Sequence, residues 1–414
     1  MVWVTEHPPL QVDLDSCVTC GLCLPVCPTF RLTGDETASP RGRLTAISAV
    51  AQGVTTIDAR FDEVTSFCLQ CRACETVCPS MVPFGSIIES ARSEAVAQVP
   101  RRDSGVRRFL LSTVLSAPVL LRIATLVAAL GQRLRLLRFL PIVGRATRGL
   151  RPLPLPLPSA RGGSWPAASR SGGSDPADDV VLFTGCVADA WFSGLHVATI
   201  EVLSAAGYSV RAPASQTCCG ALASHGGFER ESQKMALSNI KALSDDATVV
   251  VNVAGCGAHL KQYGRHGSQG ADLAARTADV TEFVSDAIDA GRLPKLPSNG
   301  ERVAIQDPCH LEHGQGITVP PRAILEAAGY EVVDVDPGGL CCGAAGLYQV
   351  DHPETSEQLG SAKAQMVRDT GVTLVASANA GCEMQLRRYL DDRHEVLHPV
   401  EIYARAIQAN PDVV

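Results

Sequence analysis

Eight of the sixteen cysteines lie in two copies of one spacing pattern near the N-terminus. Each copy has steps of three, three and four residues with a proline after the fourth cysteine: Cys17, Cys20, Cys23 and Cys27 before Pro28, and Cys68, Cys71, Cys74 and Cys78 before Pro79. This is the bacterial spacing for paired [4Fe–4S] clusters, in which the thiolates bind the irons. The pattern therefore predicts two [4Fe–4S] clusters and one-electron chemistry.

The same pattern predicts that the ligand sets are crossed, because the fourth cysteine of each run reaches the other cluster. Cluster 1 is then held by Cys17, Cys20, Cys23 and Cys78, and cluster 2 by Cys68, Cys71, Cys74 and Cys27. Gly21 lets backbone amides approach the sulfurs, and the prolines end the ligand loops. The competing interpretations are two zinc knuckles or a disulfide framework. Zinc sites usually use two Cys-x2-Cys pairs, which is a different spacing.

The other eight cysteines form a second duplicated pattern in the C-terminal half. The members are Cys186, Cys218, Cys219 and Cys256 in the first copy, and Cys309, Cys341, Cys342 and Cys382 in the second. In both copies 32 positions separate the first cysteine from a Cys-Cys-Gly sequence, and an Ala-Ala-Gly-Tyr sequence recurs between them. The simplest interpretation is an internal duplication.

From residue 180 onward the hydrophobic pattern predicts an α/β fold. The predicted strands span residues 180–184, 208–211 and 248–253, then 303–306, 331–335 and 374–377, with helices over 198–206 and 323–328. The cysteines follow the carboxyl ends of strands, where open α/β sheets bind ligands. We therefore expect a thiolate site there. The alternatives are buried structural cysteines, or disulfide exchange at Cys218-Cys219 or Cys341-Cys342.

A chain of 414 residues exceeds the size of one hydrophobic core. The sequence predicts an α+β multidomain protein, beginning with a mostly helical ferredoxin-type domain over residues 1–100, which includes a helix over 44–52. Residues 101–178 are predicted to be a basic apolar segment and a Pro/Gly/Ser-rich linker, with a semi-rigid spacer around the prolines of 152–158 and a flexible stretch over 161–179. Residues 179–300 and 301–414 are the two predicted α/β repeats.

Residues 101–151 carry eleven arginines and one acid, Asp103, in a chain whose net charge is -7. Residues 109–130 are almost wholly apolar but contain Pro118 and Arg122, which favours a helix lying in a membrane interface over a spanning helix. Two alternatives remain: a connector whose leucines pack on the neighbouring domain, and a basic patch that binds an acidic face of a partner. The overall negative charge predicts no nucleic-acid partner.

Residues 1–14 contain Glu6, Asp13 and two prolines, so they lack the apolar stretch of a signal peptide. This predicts a cytoplasmic protein whose thiolates are reserved for metal. We expect no further catalytic residue, because the sequence has no Walker loop, nucleophile elbow or intact G-x-G-x-x-G. Binding of flavin or nicotinamide by this chain itself is not expected either.

Several longer motifs carry a family resemblance. They are Cys27-Pro28-Thr29-Phe30, Gly34-Asp35-Glu36, Pro40-Arg41-Gly42-Arg43, Cys309-His310-Leu311-Glu312-His313-Gly314-Gln315, Cys341-Cys342-Gly343-Ala344-Ala345-Gly346-Leu347-Tyr348 and Ala378-Asn379-Ala380-Gly381-Cys382. Over the whole chain except 101–178, it resembles the iron-sulfur subunits of bacterial glycolate oxidase. The repeats more distantly resemble the CCG domains of heterodisulfide reductase, lactate-utilisation proteins and the small subunit of anaerobic glycerol-3-phosphate dehydrogenase.

The resemblance implies an electron-transfer subunit that takes electrons from an FAD-binding partner oxidising a 2-hydroxy acid and passes them towards membrane quinone, on the inner face of the cell membrane. The alternatives are a disulfide reductase of heterodisulfide-reductase type and a subunit of a lactate- or glycerol-3-phosphate-oxidising complex. Heterodisulfide-reductase repeats end in Cys-x-x-Cys, whereas these repeats have four cysteines each. A cubane, a noncubane cluster or no cluster in the repeats therefore stays open.

Three histidines near these cysteines are further candidates. His259 is a candidate substitute ligand, although a lone histidine is more often hydrogen-bonded to its neighbours. His310 directly follows Cys309 and is predicted to orient that ligand rather than bind metal. His313 is the weakest candidate of the three.

Overall fold

The computed structural model describes residues 2–100, 104–133, 159–167 and 179–411. Residues 2–100 contain no strand, one 3-10 turn (Glu36–Ala38) and six α-helices: α1 (Gln11–Asp15), α2 (Pro28–Thr33), α3 (Pro40–Ala51), α4 (Ala59–Ser66), α5 (Ala73–Thr76) and α6 (Phe84–Gln98). Helices α2 and α3 each begin with proline, whose missing amide is not needed at the first helical position. The mostly helical N-terminal domain is thus confirmed, and the predicted helix over 44–52 is the second half of α3.

The apolar faces of α3 and α6 form the core of this domain. Ile47 and Val50 of α3 meet Ile87 and Ile88 of α6, and all four side chains are fully buried. The same cluster contains Cys68 and Cys74, and Cys17, Cys23 and Cys78 pack against it. The ligand loops are therefore supported by one helical core, which holds both runs in fixed positions.

Residues 104–133 form a bent pair of helices. Helix α7 (Ser104–Phe109) continues into a π-helical turn, Leu110–Val114, and α8 (Pro118–Arg133) follows after a break. Among the described helices none alone is long and apolar enough to cross a membrane, and only this pair reaches that length and composition, across a bend of 107°.

The prediction of a flexible linker over 161–179 is wrong for its first part. Strand β1 (Ser164–Trp165) pairs antiparallel with the strand Ser209–Arg211. Arg161 makes a buried ion pair with Asp189 at 3.1 Å and donates hydrogen bonds to two backbone carbonyl oxygens. A buried guanidinium needs these acceptors, so Arg161 anchors this stretch to the body of the protein. The proline-rich spacer and residues 168–178 lie outside the described residues.

The two predicted repeats have matching elements. The first contains β2 (Asp179–Phe183), α9 (Val187–Trp191), α10 (Ser193–Ala205), β3 (Ser209–Arg211), α11 (Ala221–His225), α12 (Glu229–Ala242), β4 (Thr248–Val251), α13 (Ala254–Leu260), α14 (Ser268–Ala275), β5 (Thr277–Asp279) and α15 (Val280–Asp289). The second contains β6 (Arg302–Gln306), α16 (Cys309–Gln315), α17 (Val319–Ala327), β7 (Glu331–Asp334), α18 (Tyr348–Asp351), α19 (Pro353–Asp369), β8 (Leu374–Ser377), α20 (Ala380–Tyr389), β9 (Glu395–Leu397) and α21 (Pro399–Ala409).

The sheet topology supports the duplication. The strand order is β3-β2-β4-β5 in the first repeat, with β1 added at the β3 edge, and β7-β6-β8-β9 in the second. All pairs except β1 with β3 are parallel. The last helix of each repeat begins with a capping box, Asp279 with Glu282 and His398 with Glu401. The α/β prediction for residues 179 onward is confirmed.

The two repeats share one hydrophobic core. Helices α10 and α15 of the first repeat pack against α17 and α21 of the second, between the two sheets. Val180 and Val284 of the first repeat lie in one buried cluster with Ile324 and Tyr403 of the second. The repeats are therefore one structural body, which fixes the position of one cysteine set relative to the other.

Candidate iron-sulfur sites

The eight N-terminal cysteines line two neighbouring cavities. The first, of about 450 Å³ with its open mouth, is lined by Cys17, Cys20, Cys23, Cys78 and also Cys74. The second, of about 370 Å³, is lined by Cys27, Cys68, Cys71 and Cys74. The fourth cysteine of each run therefore lies with the first three of the other run, which supports the crossed assignment. No three Cys, His, Asp or Glu side chains in the described residues are arranged around a single metal ion.

Both ligand loops have the same unusual backbone. In the first loop Thr19 and Gly21 have positive φ angles of 55° and 82°, and in the second Gln70 and Arg72 have 53° and 64°. Left-handed residues turn successive backbone amides towards the inside of a loop, where they bind anions. The amide of Gln70 already donates to the Cys68 sulfur at 3.3 Å. Only the glycine signalled this conformation in the sequence.

The thiols of the second cavity are buried, and Arg43 and Arg72 are the cationic side chains that line this cavity with them. Burial, and then the charge of Cys341, raises the pKa of the Cys71 thiol, and burial raises that of Cys74. A thiol loses its proton when its sulfur binds metal, and the positive charge of the metal then stabilises the buried thiolate. The donor set therefore fits a cluster whose irons compensate the buried thiolates.

Two arginines that the sequence analysis did not assign support these loops. Arg43 is fully buried and donates to the Val64 carbonyl at 3.0 Å and to Thr29 Oγ1 at 3.1 Å, and Thr29 lies 3.2 Å from the Cys27 sulfur. Arg92 donates to the carbonyls of Thr65 and Ser66 and, across the domain boundary, to the His225 carbonyl at 2.6 Å. The sequence signal for Arg92 is its position one helical turn from the apolar residues Ile88 and Val96.

In each C-terminal repeat the four thiols converge. In the first repeat Cys186 Sγ lies 3.3 Å from Cys218 Sγ, and Cys219 Sγ lies 3.3 Å from Cys256 Sγ. In the second, Cys342 Sγ lies 3.0 Å from Cys382 Sγ, and Cys309 interacts with Cys341. These sulfur distances exceed the 2.05 Å of a disulfide. Each repeat thus joins two thiol pairs through its vicinal cysteines.

The glycine of each Cys-Cys-Gly turn has a steric reason. Gly220 and Gly343 have φ angles of 91° and 79°. A Cβ at Gly220 would lie 2.8 Å from Ser232 Oγ, and one at Gly343 would lie 2.8 Å from Leu359 Cβ. Only glycine tolerates both constraints. Their amides also point at the preceding sulfurs, 3.5 Å from Cys218 and 3.4 Å from Cys341.

The pKa values of one thiol pair, Cys309 and Cys341, move in opposite directions. In the second repeat a hydrogen bond from Cys309 lowers the pKa of Cys341 well below its ordinary value and raises that of Cys309. Lys363, itself buried in an ion pair with Asp336 at 2.7 Å, contributes to the lowering at Cys341. One thiolate in the second repeat is therefore stabilised before any metal binds.

The three candidate histidines have other partners. His259 Nε2 lies 3.3 Å from Ser232 Oγ and 3.4 Å from an Arg265 nitrogen, which supports the hydrogen-bonded interpretation. His310 stacks on His225 with ring centroids 5.4 Å apart, and burial lowers its pKa to about 3. His313 Nδ1 lies 3.1 Å from Thr76 Oγ1 of the ferredoxin domain, so this residue joins two domains.

The second repeat packs directly against the loop that carries the predicted cluster 2 ligand Cys71. Cys71 and Leu69 of the ferredoxin loop share a buried apolar cluster with Cys341, Leu340 and Tyr348. Cys309 packs against the same cluster. Of the two repeats, the second is therefore the one whose thiols share a buried cluster with Cys71 among the described residues. The sequence could not show this contact, because it joins residues about 270 positions apart.

The first repeat lies against the bent helix pair instead. Leu111 and Leu121 of that pair share a buried cluster with Cys186 and Cys218. Trp191 Nε1 donates to Thr125 Oγ1 of α8 at 3.1 Å. The two repeats therefore have the same fold but different neighbours, so their cysteine sets are placed for different roles.

Two family descriptions match the chain. Residues 13–82 match a 4Fe-4S dicluster domain, and residues 180–261 and 303–387 each match a cysteine-rich domain. The prediction of iron-sulfur clusters is thereby confirmed. The duplicated match also agrees with the two sheets.

Three curated relatives are similar to the chain over half of its length or more. The chain is 30% identical to the glycolate oxidase iron-sulfur subunit of Escherichia coli (strain K12) over 411 residues, 96% of each chain. It is 30% identical to the probable glycolate oxidase iron-sulfur subunit of Bacillus subtilis (strain 168), over 91% of this chain and 88% of the relative. Lactate utilization protein A of Oceanobacillus iheyensis is 30% identical over 50% of this chain and 87% of its own. The first match runs through residues 101–178 too, which the sequence resemblance leaves out.

Proposed function

Because the chain belongs to the family of glycolate oxidase iron-sulfur subunits, we propose that it is the electron-transfer subunit of a flavin-dependent 2-hydroxy-acid dehydrogenase of glycolate type. In this proposal an FAD-binding partner subunit oxidises the hydroxy acid, and this chain carries the electrons towards membrane quinone. The lactate utilization relative makes lactate the alternative substrate. The protein works on the inner face of the cell membrane, in the cytoplasm, and is inactive without its partner.

The contact between Cys71 and Cys341 carries this proposal. A bound [4Fe–4S] cluster accepts and releases one electron at a time. The chain's own residues supply the rest: Leu69, Leu340 and Tyr348 exclude water between the two thiolate sets, and the shared core keeps the repeats in place. Such a dry, continuous arrangement of thiolates is what electron transfer through one chain requires, whereas a redox-inactive scaffold would not need it.

Partner dependence tests the function. The isolated chain, reconstituted anaerobically with iron and sulfide, should show no oxidation of glycolate or lactate with a dye acceptor. Addition of the flavin-binding subunit should allow glycolate to reduce the clusters, measured by EPR. Hydroxy-acid oxidation by the isolated chain would contradict the proposal, and so would clusters that stay oxidised when the reduced flavoprotein is present.

The paired thiols favour a second candidate, a disulfide reductase. Thiol pairs at 3.0–3.3 Å in both repeats are close enough to exchange with a disulfide after a small movement. Reduction of a substrate disulfide to two thiols consumes two electrons and two protons. The same preparation, given reduced viologen as electron donor and glutathione disulfide as substrate, distinguishes the two functions. Rapid thiol release by the isolated chain would favour the reductase.

We also propose that the bent helix pair contacts the membrane surface. The outer face of α8 is apolar: Val119, Leu120, Ile123, Leu126, Val127 and Leu130 are each at least 40% exposed. Its inner face, with Leu121 and Thr125, is buried on the first repeat. A surface helix normally exposes polar residues, and an apolar outer face in a segment of charge +10 suits anionic lipids. The burial of the inner face also agrees with the alternative that this segment is a connector whose leucines pack on the neighbouring domain.

Vesicle sedimentation tests the membrane contact. The wild-type chain should sediment with vesicles containing phosphatidylglycerol and less with pure phosphatidylcholine, and added salt should weaken binding. The Ile123→Glu/Val127→Glu variant should lose most of the binding, because two charges would enter the acyl boundary. Leu237→Glu, on a helix of the first repeat and equally exposed, is the matched control and should bind as wild type. Equal binding by all three proteins would contradict the contact.

A further inference from the structure

The cysteines of cluster 1 lie at the protein surface, unlike the other sets. Among the sixteen cysteines, all of them within the described residues, Cys20 alone is exposed, and Cys17, Cys23 and Cys78 are partly exposed. The four cysteines of the second cavity are all buried. In the C-terminal sets six cysteines are buried, and Cys256 and Cys309 are partly exposed. An electron donor outside this chain would therefore approach the ligands of cluster 1 most closely, because these cysteines are the most exposed of the four sets.

Exposed apolar side chains surround this position. Val18 and Leu22 line the mouth of the first cavity and are 65% and 54% exposed. Met81, three residues after Cys78, is 83% exposed, and Val77 is 36% exposed. Large apolar side chains exposed together on a soluble surface usually mark an interaction site.

Met81 adds an independent observation. Its φ angle is 49°, in the left-handed region that non-glycine residues rarely occupy. A hydrogen bond from its amide to the Cys78 carbonyl at 3.1 Å holds the turn. Both the left-handed backbone of Met81 and the exposure of its apolar side chain cost free energy in the chain alone. Methionine is also a residue that adapts to the surface of a partner.

From these observations we propose that Val18, Leu22, Val77 and Met81 form the docking face for the electron-donating flavin-binding subunit. This face, called the entry face below, rests on the proposed function and names where its partner binds. The partner covers the mouth of the first cavity with an apolar surface. The thiolates of cluster 1 are then brought close to the flavin and shielded from water. From this face inward, the ligands of cluster 1, the ligands of cluster 2 and the thiols of the second repeat lie in that order.

The test uses the tagged chain expressed with its partner in the native host. The complex is captured anaerobically, and FAD per chain, iron per chain and cluster reduction by glycolate are measured. The Val18→Glu/Met81→Glu variant should retain about tenfold less FAD than wild type, with unchanged iron content and EPR spectra. Val54→Glu is the matched control, because Val54 belongs to the same domain and is 75% exposed. Helix α3 begins at Pro40, which lines the first cavity, whereas Val54 follows the other end of this helix. This control should retain wild-type FAD.

A second variant guards against damage to the ligand loop. Met81→Gly removes the side chain and suits the left-handed backbone, so the loop and its cluster should be preserved while FAD retention falls. Wild-type FAD retention by both entry-face variants would overturn this inference alone. A wild-type chain that captures no FAD would overturn the proposed function as well. Light scattering gives a further outcome that would overturn the inference. If the wild type were a homodimer and the variants were monomers with unchanged FAD retention, the face would serve self-association.

Discussion

Serine substitution at Cys27 is expected to remove the same cluster as substitution at Cys71, although the two residues belong to different sequence runs. Cys27 lines the second cavity together with Cys68, Cys71 and Cys74. Likewise, Cys78→Ser should remove the same cluster as Cys17→Ser, because both residues line the first cavity. Each variant should lose about four irons per chain and one of the two EPR signals of the N-terminal clusters, since a cubane needs a thiolate at each iron.

The four variants serve as controls for each other. EPR of the dithionite-reduced proteins and iron quantification give the assignment, and circular dichroism checks that the helical core is intact. If Cys27→Ser removed the signal that Cys17→Ser removes, the ligand sets would be uncrossed and the assignment wrong. Loss of both signals in every variant, with normal circular dichroism, would mean that the clusters do not assemble independently.

The Cys218→Ser/Cys341→Ser variant is expected to lose iron from the C-terminal module. Each repeat brings four thiols together, and Cys218 and Cys341 are the central members that touch the first cysteine of their repeats. We expect more than eight irons per wild-type chain, about twelve if one further cubane is bound, and about eight in the variant. The variant should also lack a distinct EPR signal. Anaerobic iron and sulfide analysis measures the difference.

A matched control separates thiol loss from disturbance of the turn. The Ala221→Ser/Ala344→Ser variant adds a hydroxyl at the buried residue after each Cys-Cys-Gly turn and keeps all thiols. It should retain the iron content of the wild type. Eight irons in wild type and in both variants, with identical spectra, would mean that only the N-terminal clusters are present and that the repeat thiols are structural or redox-active.

Much of the architecture could be predicted because its signals are local. The strands predicted over 180–184 and 303–306 are observed at Asp179–Phe183 and Arg302–Gln306, since a run of buried apolar residues is characteristic of a central parallel strand. The duplication followed from spacing alone. The partners of His259 and His313 were less accessible, because each depends on residues from another element.

The sequence by itself determined the chemistry: the number of thiolates, their grouping into runs and repeats, and the glycines that allow two tight Cys-Cys-Gly turns. These properties depend on steps of a few residues, which covalent geometry and local backbone preferences control. The tertiary structure alone decided which sets meet. Cys71 lies beside Cys341 and Cys186 beside Leu121 because helices and loops far apart in sequence bury their apolar faces together. Hydrophobic burial is not directional, so only the complete packing of the chain determines these neighbours.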